Sequence, residues 1–423
     1  LHAPRPLLAM AAMRDVPVFA PEHADRVLRR TANHVYRLYG ADERVRLDTF
    51  DSKHDYNRPM RERFYRHATT HLLGRRDVDV REPDDLPVQP EEMLRCGLPA
   101  SSENLQSLTC RRARELASAI EIPERRAPWE RFRRQLLSRL EREILGSFPN
   151  RRAARSRCVR ELDWKGYRVQ HWALYPEPGV SVPAVLCLPG AKSTPSDRRG
   201  VVVVDESGKQ HAFARGLVER LLENGMVVLA IDYRGTGETA GTVPSIGYGP
   251  AVPDYNLSNY ALLVGRPLAG MRVHDVRCAL DLLAEHPQAN VGSMAVAGRG
   301  RGALVGLLAG ALDDRVKATV LEELFASWVF PEEFVDIGLS SLIPRILTAG
   351  DIQHITACMA PRGTFLLNPV DGRRRPLSAN QLDQWGPFAA GVYRLYDATS
   401  RLNVVTVASD TAPDEIAAWL RPR

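Results

Sequence analysis

Lysine is nearly absent from this chain, and arginine carries almost all of its positive charge. The 57 basic residues are scattered among 51 acidic ones, leaving a net charge of +6. No basic stripe interleaved with aromatics stands out, which argues against a nucleic-acid partner. No apolar run approaches the ~18 residues that a membrane helix needs, so no membrane span is expected. The six cysteines, Cys96, Cys110, Cys158, Cys187, Cys278 and Cys358, form no C-x-x-C pair. His274 with Cys278, and His354 with Cys358, lie four apart but have no further ligands close by, so no metal site is expected. Cys187 and Cys278 sit in apolar segments and read as buried thiols. The chain opens at Leu1-His2-Ala3-Pro4-Arg5 without Met, a charged leader or an apolar leader segment. The expectation is that the natural N-terminus lies upstream and that the compartment stays open.

What is present is an internal repeat. Ala3-Pro4-Arg5 recurs as Ala360-Pro361-Arg362, and Val35-Tyr36-Arg37-Leu38-Tyr39 recurs as Val392-Tyr393-Arg394-Leu395-Tyr396. Both pairs are 357 positions apart (3 to 360, 35 to 392). Within the first copy, an apolar strand is expected over Pro6–Met13 and a helix over Glu22–Tyr39. A second strand over Val45–Phe50 and an amphipathic helix over Met60–Leu73 complete it. Strand–helix–strand–helix is a unit that closes a parallel sheet. Residues 1–74 are therefore expected to be the tail of a first domain whose front half lies upstream. Residues 75–157 are expected to be a linker and helical connector, with helices over Cys110–Ile120 and Trp129–Leu145. Residues 158–423 are expected to be a second, complete domain.

That second segment alternates strand and helix. Val159–Asp163, Gly166–Leu174 and Val182–Leu188 lead, and Val201-Val202-Val203-Val204 reads as a strand buried on both faces. A helix over Ala212–Asn224, a strand over Met226–Ile231 and a helix over Leu268–Glu285 follow. Then come a strand over Val291–Ala297, a helix over Arg301–Leu312 and a strand over Val316–Glu322. The fold class is α/β, a doubly wound, mostly parallel sheet.

The turn after the Val291–Ala297 strand is the informative place. It reads Gly298-Arg299-Gly300-Arg301-Gly302. A strand running through Gly-x-Ser-x-Gly into a helix is the nucleophile elbow of an α/β-hydrolase. The glycine frame is kept, but the centre, Gly300, has no atom that can attack a carbonyl. With Asp232-Tyr233-Arg234-Gly235-Thr236-Gly237 and Ala360-Pro361-Arg362 leading to Asn368-Pro369-Val370-Asp371, the segment resembles acetyl xylan esterase-like α/β-hydrolases of the tandem-domain type. The resemblance covers nearly all of 158–423, and 1–74 for the preceding copy.

The resemblance implies hydrolysis of carbohydrate esters by a Ser–Asp–His triad with no cofactor, and a secreted or periplasmic setting. In the first copy it assigns Asp15 as the acid and His54 as the base, with the serine upstream of Leu1 in a partner domain of the same polypeptide. In the second copy the acid position is kept to within a residue as Asp371, the base position falls on Thr411, and the oxyanion loop reads Asp205-Glu206-Ser207-Gly208. That copy is expected to be a non-catalytic pseudo-esterase. Ser207 and Ser293 lack a suitably placed histidine, and His211 and His354 read as surface or helix-face residues.

Three other readings stand beside it, one of them structural: the second copy is a scaffold that supports the first through the 75–157 connector. Gly298-x-Gly300-x-x-Ala303, with Glu322 and Glu323 about 20 residues on, formally fits a dinucleotide fingerprint. Alternatively, Arg299 and Arg301 at a helix N-terminus could hold an acidic sugar or other carboxylate in the vacated pocket. The plainer outcome for these arginines is pairing with Asp205, Glu206 or Asp371.

Overall fold

The computed structural model describes residues 2–16, 19–99, 101–149, 155–190, 198–241, 254–287, 289 and 292–421. The chain divides into two compact units, Leu1–Ala100 and Ser101–Arg423.

In the first unit β1 (Leu7–Ala12) pairs in parallel with β2 (Val45–Phe50), Leu7 opposite Val45. Helical residues Pro21–Leu38 make the crossover, with a π-turn at Leu28–Ala32. Tyr36, Ala41 and Val45 form a small buried cluster with Ala3, Leu7, Leu28 and Ala32 against it. Asn57 caps the helix Arg58–Leu72 by accepting from the Met60 N–H at 3.2 Å, and a proline in the first turn fixes its start.

The second unit carries a nine-stranded sheet: β3 (Arg155–Trp164), β4 (Tyr167–Tyr175), β5 (Val182–Leu188), β6 (Arg199–Asp205), β7 (Val227–Ile231), β8 (Ser293–Arg299), β9 (Val316–Glu322), β10 (Gly363–Leu367) and β11 (Leu402–Val405). Its spatial order is β11-β10-β9-β8-β6-β7-β5-β4-β3. The β3, β4 and β5 strands are antiparallel and β5 pairs antiparallel with β7; the rest are parallel. Lys165 and Gly166 both have positive φ, as the tight turn between β3 and β4 requires. Val201 to Val204 are buried, because apolar clusters cover both faces of the sheet.

Three expectations meet a different outcome. The boundary between units falls at 100/101, inside the stretch read as connector. The helix Arg126–Arg139 and the turn Leu140–Ile144 belong to the second unit, since Trp129, Leu136, Leu140, Ile144 and Leu145 are buried in its main core. A single helix over 212–224 is instead two, Lys209–Ala214 and Leu217–Glu223, broken where Gly216 takes φ 77°.

The two copies match in detail. In the second, β10 pairs with β11 in the same register, Thr364 opposite Leu402, which is the Leu7–Val45 pair shifted by the repeat offset. Tyr36 Oη donates to the Arg5 carbonyl at 2.6 Å, and Tyr393 Oη donates to the Arg362 carbonyl at 2.8 Å. The difference is that β10 also pairs with β9, whereas β1 pairs with β2 in a two-stranded sheet.

Candidate functional site

The first unit brings its two expected residues together. His54 Nδ1 lies 2.8 Å from Asp15 Oδ1. A carboxylate can only accept, so Nδ1 carries the proton and Nε2 is left as the basic nitrogen. Asp15 is nearly buried and also accepts from the Val16 N–H at 2.7 Å. The His54 ring stacks on Phe19 at 5.3 Å and is about half exposed. Both residues line an open cavity of about 580 Å³ with Met10, Ala12, Phe19 and Met60. The geometry suits an imidazole oriented by an acid, able to take a proton on its free nitrogen.

In the second unit the strand-to-helix turn has the expected shape. Gly300 sits between β8 and the helix Arg301–Leu312 at φ 57°, ψ −124°. The flanking glycines are needed for packing: a Cβ at Gly298 would overlap the Gly302 carbonyl, and one at Gly302 would overlap the Val204 carbonyl. At Gly300 itself a Cβ would overlap the carboxyl group of Glu206. That carboxylate therefore fills the space of a nucleophile side chain.

Glu206 is held firmly. It accepts from the Arg301 backbone N–H at 3.2 Å, the amide that follows the elbow centre. Arg374 donates to both its oxygens, at 2.6 and 3.0 Å, and Arg301 Nη1 lies 3.7 Å away. Burial pushes the Glu206 carboxyl upward, but Arg374 and Arg301 outweigh this and hold it below its ordinary value.

The pairing continues on both sides. Arg374 also reaches Glu323 at 3.2 Å, and Arg299 meets Glu323 at 2.8 Å. Glu322 is taken by Arg215. Arg301 Nε lies 3.4 Å from Asp254, which is bonded by buried Arg272 and by Ser340. The carboxyl edge of β6, β8 and β9 is thus lined with alternating charges.

The remaining expected positions are reached too. Asp371 accepts from the Arg373 and Arg375 N–H groups at 2.7 and 3.0 Å and from Arg375 Nε at 2.6 Å. Burial acts upward on its carboxyl, but Arg375 and these N–H bonds hold it low. Thr411 is exposed at the start of the helix Ala412–Leu420, its hydroxyl bonded to the Ala408 carbonyl. His211 is only partly exposed and pairs with buried Asp205 at 2.8 Å. The surface reading of His354 is corrected: it is buried, because Nδ1 accepts from the Asp351 N–H in a helix-capping pair and the ring packs on Phe388.

The vacated-pocket reading is corrected as well. Arg299 and Arg301 are both paired, and Glu206 occupies the position that a bound carboxylate would take. The same carboxylate stands at the helix end where a dinucleotide pyrophosphate would need the Arg301 N–H, and Glu322 and Glu323 are engaged by arginines. What the sequence reading missed was Arg374. The Arg373-Arg374-Arg375 run beside Asp371, facing an Asp-Glu pair after β6, was the available signal.

Residues 129–329 match the Abhydrolase family. Compared with curated proteins, the chain has no match. Among solved structures it is similar to a protein from Bacteroides fragilis assigned as an acetyl xylan esterase, at 15% identity and a TM-score of 0.57, covering 75% of this chain and 86% of that one. It is also similar to methylesterase BT1017, at 17% identity and a TM-score of 0.54, covering 74% and 67%. A promiscuous CE15 esterase from a marine bacterial metagenome matches at 15% identity and a TM-score of 0.50, covering 68% and 89%. The chain therefore has the α/β-hydrolase fold, and the relatives that share it bear the names of esterases. Among the described residues no helix is long and apolar enough to cross a membrane.

Proposed function

We propose that this chain is part of a tandem carbohydrate-esterase-like protein whose second α/β-hydrolase copy is a non-catalytic pseudo-esterase. One observation carries the reading: Gly300 stands at the elbow in a nucleophile's backbone conformation, with the Glu206 carboxylate in the space of its side chain. Such a site has no attacking atom, and a bound anion already accepts from its oxyanion N–H. The acidic Asp205-Glu206 loop, the arginine-bound Asp371 and Thr411 in the base position support the same reading.

In the first copy, Asp15 and His54 are proposed as acid and base for a serine supplied by a preceding segment of the same polypeptide. The repeat supports this, because the strand equivalent to β1 in the second copy pairs with a further parallel strand. His54 Nε2 would take the serine proton as Oγ adds to the ester carbonyl. It would return that proton to the departing alkoxide (the sugar from an acetyl ester, methoxide from a methyl ester), leaving an acyl-serine that water hydrolyses. Acetylated or methyl-esterified saccharides are the proposed substrates, from the names of the structural relatives.

The test is hydrolysis of p-nitrophenyl acetate. The 423-residue chain is expected to match buffer alone. Turnover abolished by His54→Ala or Ser207→Ala would reveal a nucleophile within the chain and overturn the proposal. In a polypeptide extended through the proposed serine, His54→Ala is expected to cost up to roughly a millionfold in kcat. Thr411→Ala should leave that rate unchanged.

A further inference from the structure

The amino end of the same sheet carries positive charge that no described carboxylate offsets. Arg199 opens β6, Lys317 lies near the start of β9, Arg401 stands just before β11, and Arg421 follows the helix Ala412–Leu420. With Gly363, Ser400 and Trp419 they line a cavity of about 260 Å³. Each cation bonds only neutral oxygens among the described residues. Arg199 donates to the Leu420 carbonyl at 2.7 Å and to Ser293 Oγ at 3.2 Å. Lys317 donates to the Asp314 carbonyl, Arg401 to the Pro361 carbonyl, and Arg421 to Asn224 Oδ1.

The contrast with the carboxyl edge is sharp. There Arg215, Arg272, Arg299, Arg301 and Arg374 each meet a carboxylate. A helix carbonyl end explains part of the cluster, since Arg199 and Arg421 sit at the end of Ala412–Leu420, where cations are favoured. Lys317 and Arg401 belong to other elements and are not explained by it. Arg199 is also partly buried, and burial penalises its charge.

Four like charges around one concavity repel each other until an anion enters. A monocarboxylate offsets one of them, whereas a phosphoryl group brings about two negative charges at neutral pH. Guanidinium forks match its oxygens two at a time. The volume lies below the usual range for drug-sized ligands, so it suits a compact ligand and not a polymer. Trp419, with its ring stacked on Phe365, supplies a flat wall for a small organic body.

We propose that this cavity is a binding site for a small phosphorylated molecule, at the opposite edge of the sheet from the Gly300 turn. Calorimetric titration of the full chain with pyrophosphate and with glucose 6-phosphate tests it. Both are expected to bind saturably, more weakly as salt rises, with glucose silent and acetate at least about tenfold weaker. Lys317→Gln combined with Arg401→Gln removes two exposed charges and should weaken binding at least about tenfold. The circular dichroism melt of that variant should be unchanged, and Arg112→Gln should bind as the parent does. Absence of saturable pyrophosphate binding, equal affinity for acetate, or an unaffected double variant would each overturn the proposal. A mixed-sequence oligonucleotide that bound more tightly than pyrophosphate would also overturn it, by making the ligand a polymer.

Discussion

Glu206→Gln isolates the charge that closes the Gly300 turn, because glutamine keeps the shape and removes only the ionisation. Breaking one side of a buried ion pair costs about 3–5 kcal/mol. Two features reduce that here: Arg374 keeps Glu323 at 3.2 Å, and Arg301 keeps Asp254 at 3.4 Å. The expected loss is about 2–3 kcal/mol. For a unit of this size that corresponds to a fall of about 3–4 °C in Tm. The pH dependence gives the reasoning a second edge. The folded carboxyl lies below the ordinary glutamate value of 4.5, because the arginines prevail over burial. Its stabilisation is therefore complete above that value and lost as pH falls through the folded value. Thermal and urea melts of parent and variant should differ fully at pH 7 and converge below about pH 4.5. A neutral substitution at pH 7, or a gap that widens in acid, would refute a buried, ionised Glu206.

Gly300→Ser should restore no hydrolysis of p-nitrophenyl acetate and should destabilise by about 1–3 kcal/mol, since its Cβ meets Glu206 at positive φ; measurable turnover would refute the account of this turn. Tyr393→Phe should cost about 1–2 kcal/mol in urea melts, because it removes the Arg362 carbonyl's partner and leaves the buried Thr364 hydroxyl only its long bond with Thr319. Tyr36→Phe, whose acceptor is the carbonyl of exposed Arg5, should cost less than about 1 kcal/mol. Burial holds the His354 imidazole down to about 4, against 6.5 ordinarily. Its contribution is whole above pH 6.5 and lost as pH falls towards 4, so the parent should lose about 2–3 kcal/mol more than His354→Asn across that window.

The parts of the fold legible in the sequence are those whose pattern is set by one local requirement. The β2, β9, Leu268–Glu285 and Arg301–Leu312 bounds follow from apolar runs and periodicity alone. The repeat offset was legible because Tyr36 and Tyr393 perform the same task, each tying its helix to the carbonyl after a proline. The break at Gly216 was not, since an apolar helical pattern runs through it and only a positive φ ends the first helix. The Asp15–His54 contact could be expected only through the family resemblance, because 39 residues separate the two in the chain. The Glu206–Arg374 pair joins residues 168 positions apart and has no local signature. His354 was misjudged because nothing in the local sequence marks its capping pair with Asp351, which buries the ring.

The glycines of the turn answer a different question from the one they first pose. A Gly-x-x-x-Gly frame after a strand invites an inference of activity, because active elbows need it. Here Gly298 and Gly302 are each required by a neighbouring carbonyl, so close packing of β8, β6 and the following helix would keep them whatever the centre does. Survival of the frame is therefore evidence for the fold and not for catalysis. The discriminating residues are those with no packing reason to change. A carboxylate in the space beside Gly300, arginines around it and an exposed threonine at the position proposed for the base are not imposed by the sheet. They fit together as one arrangement, because an unfilled turn with an inward N–H needs an anion, and Glu206 provides one that its arginines keep charged.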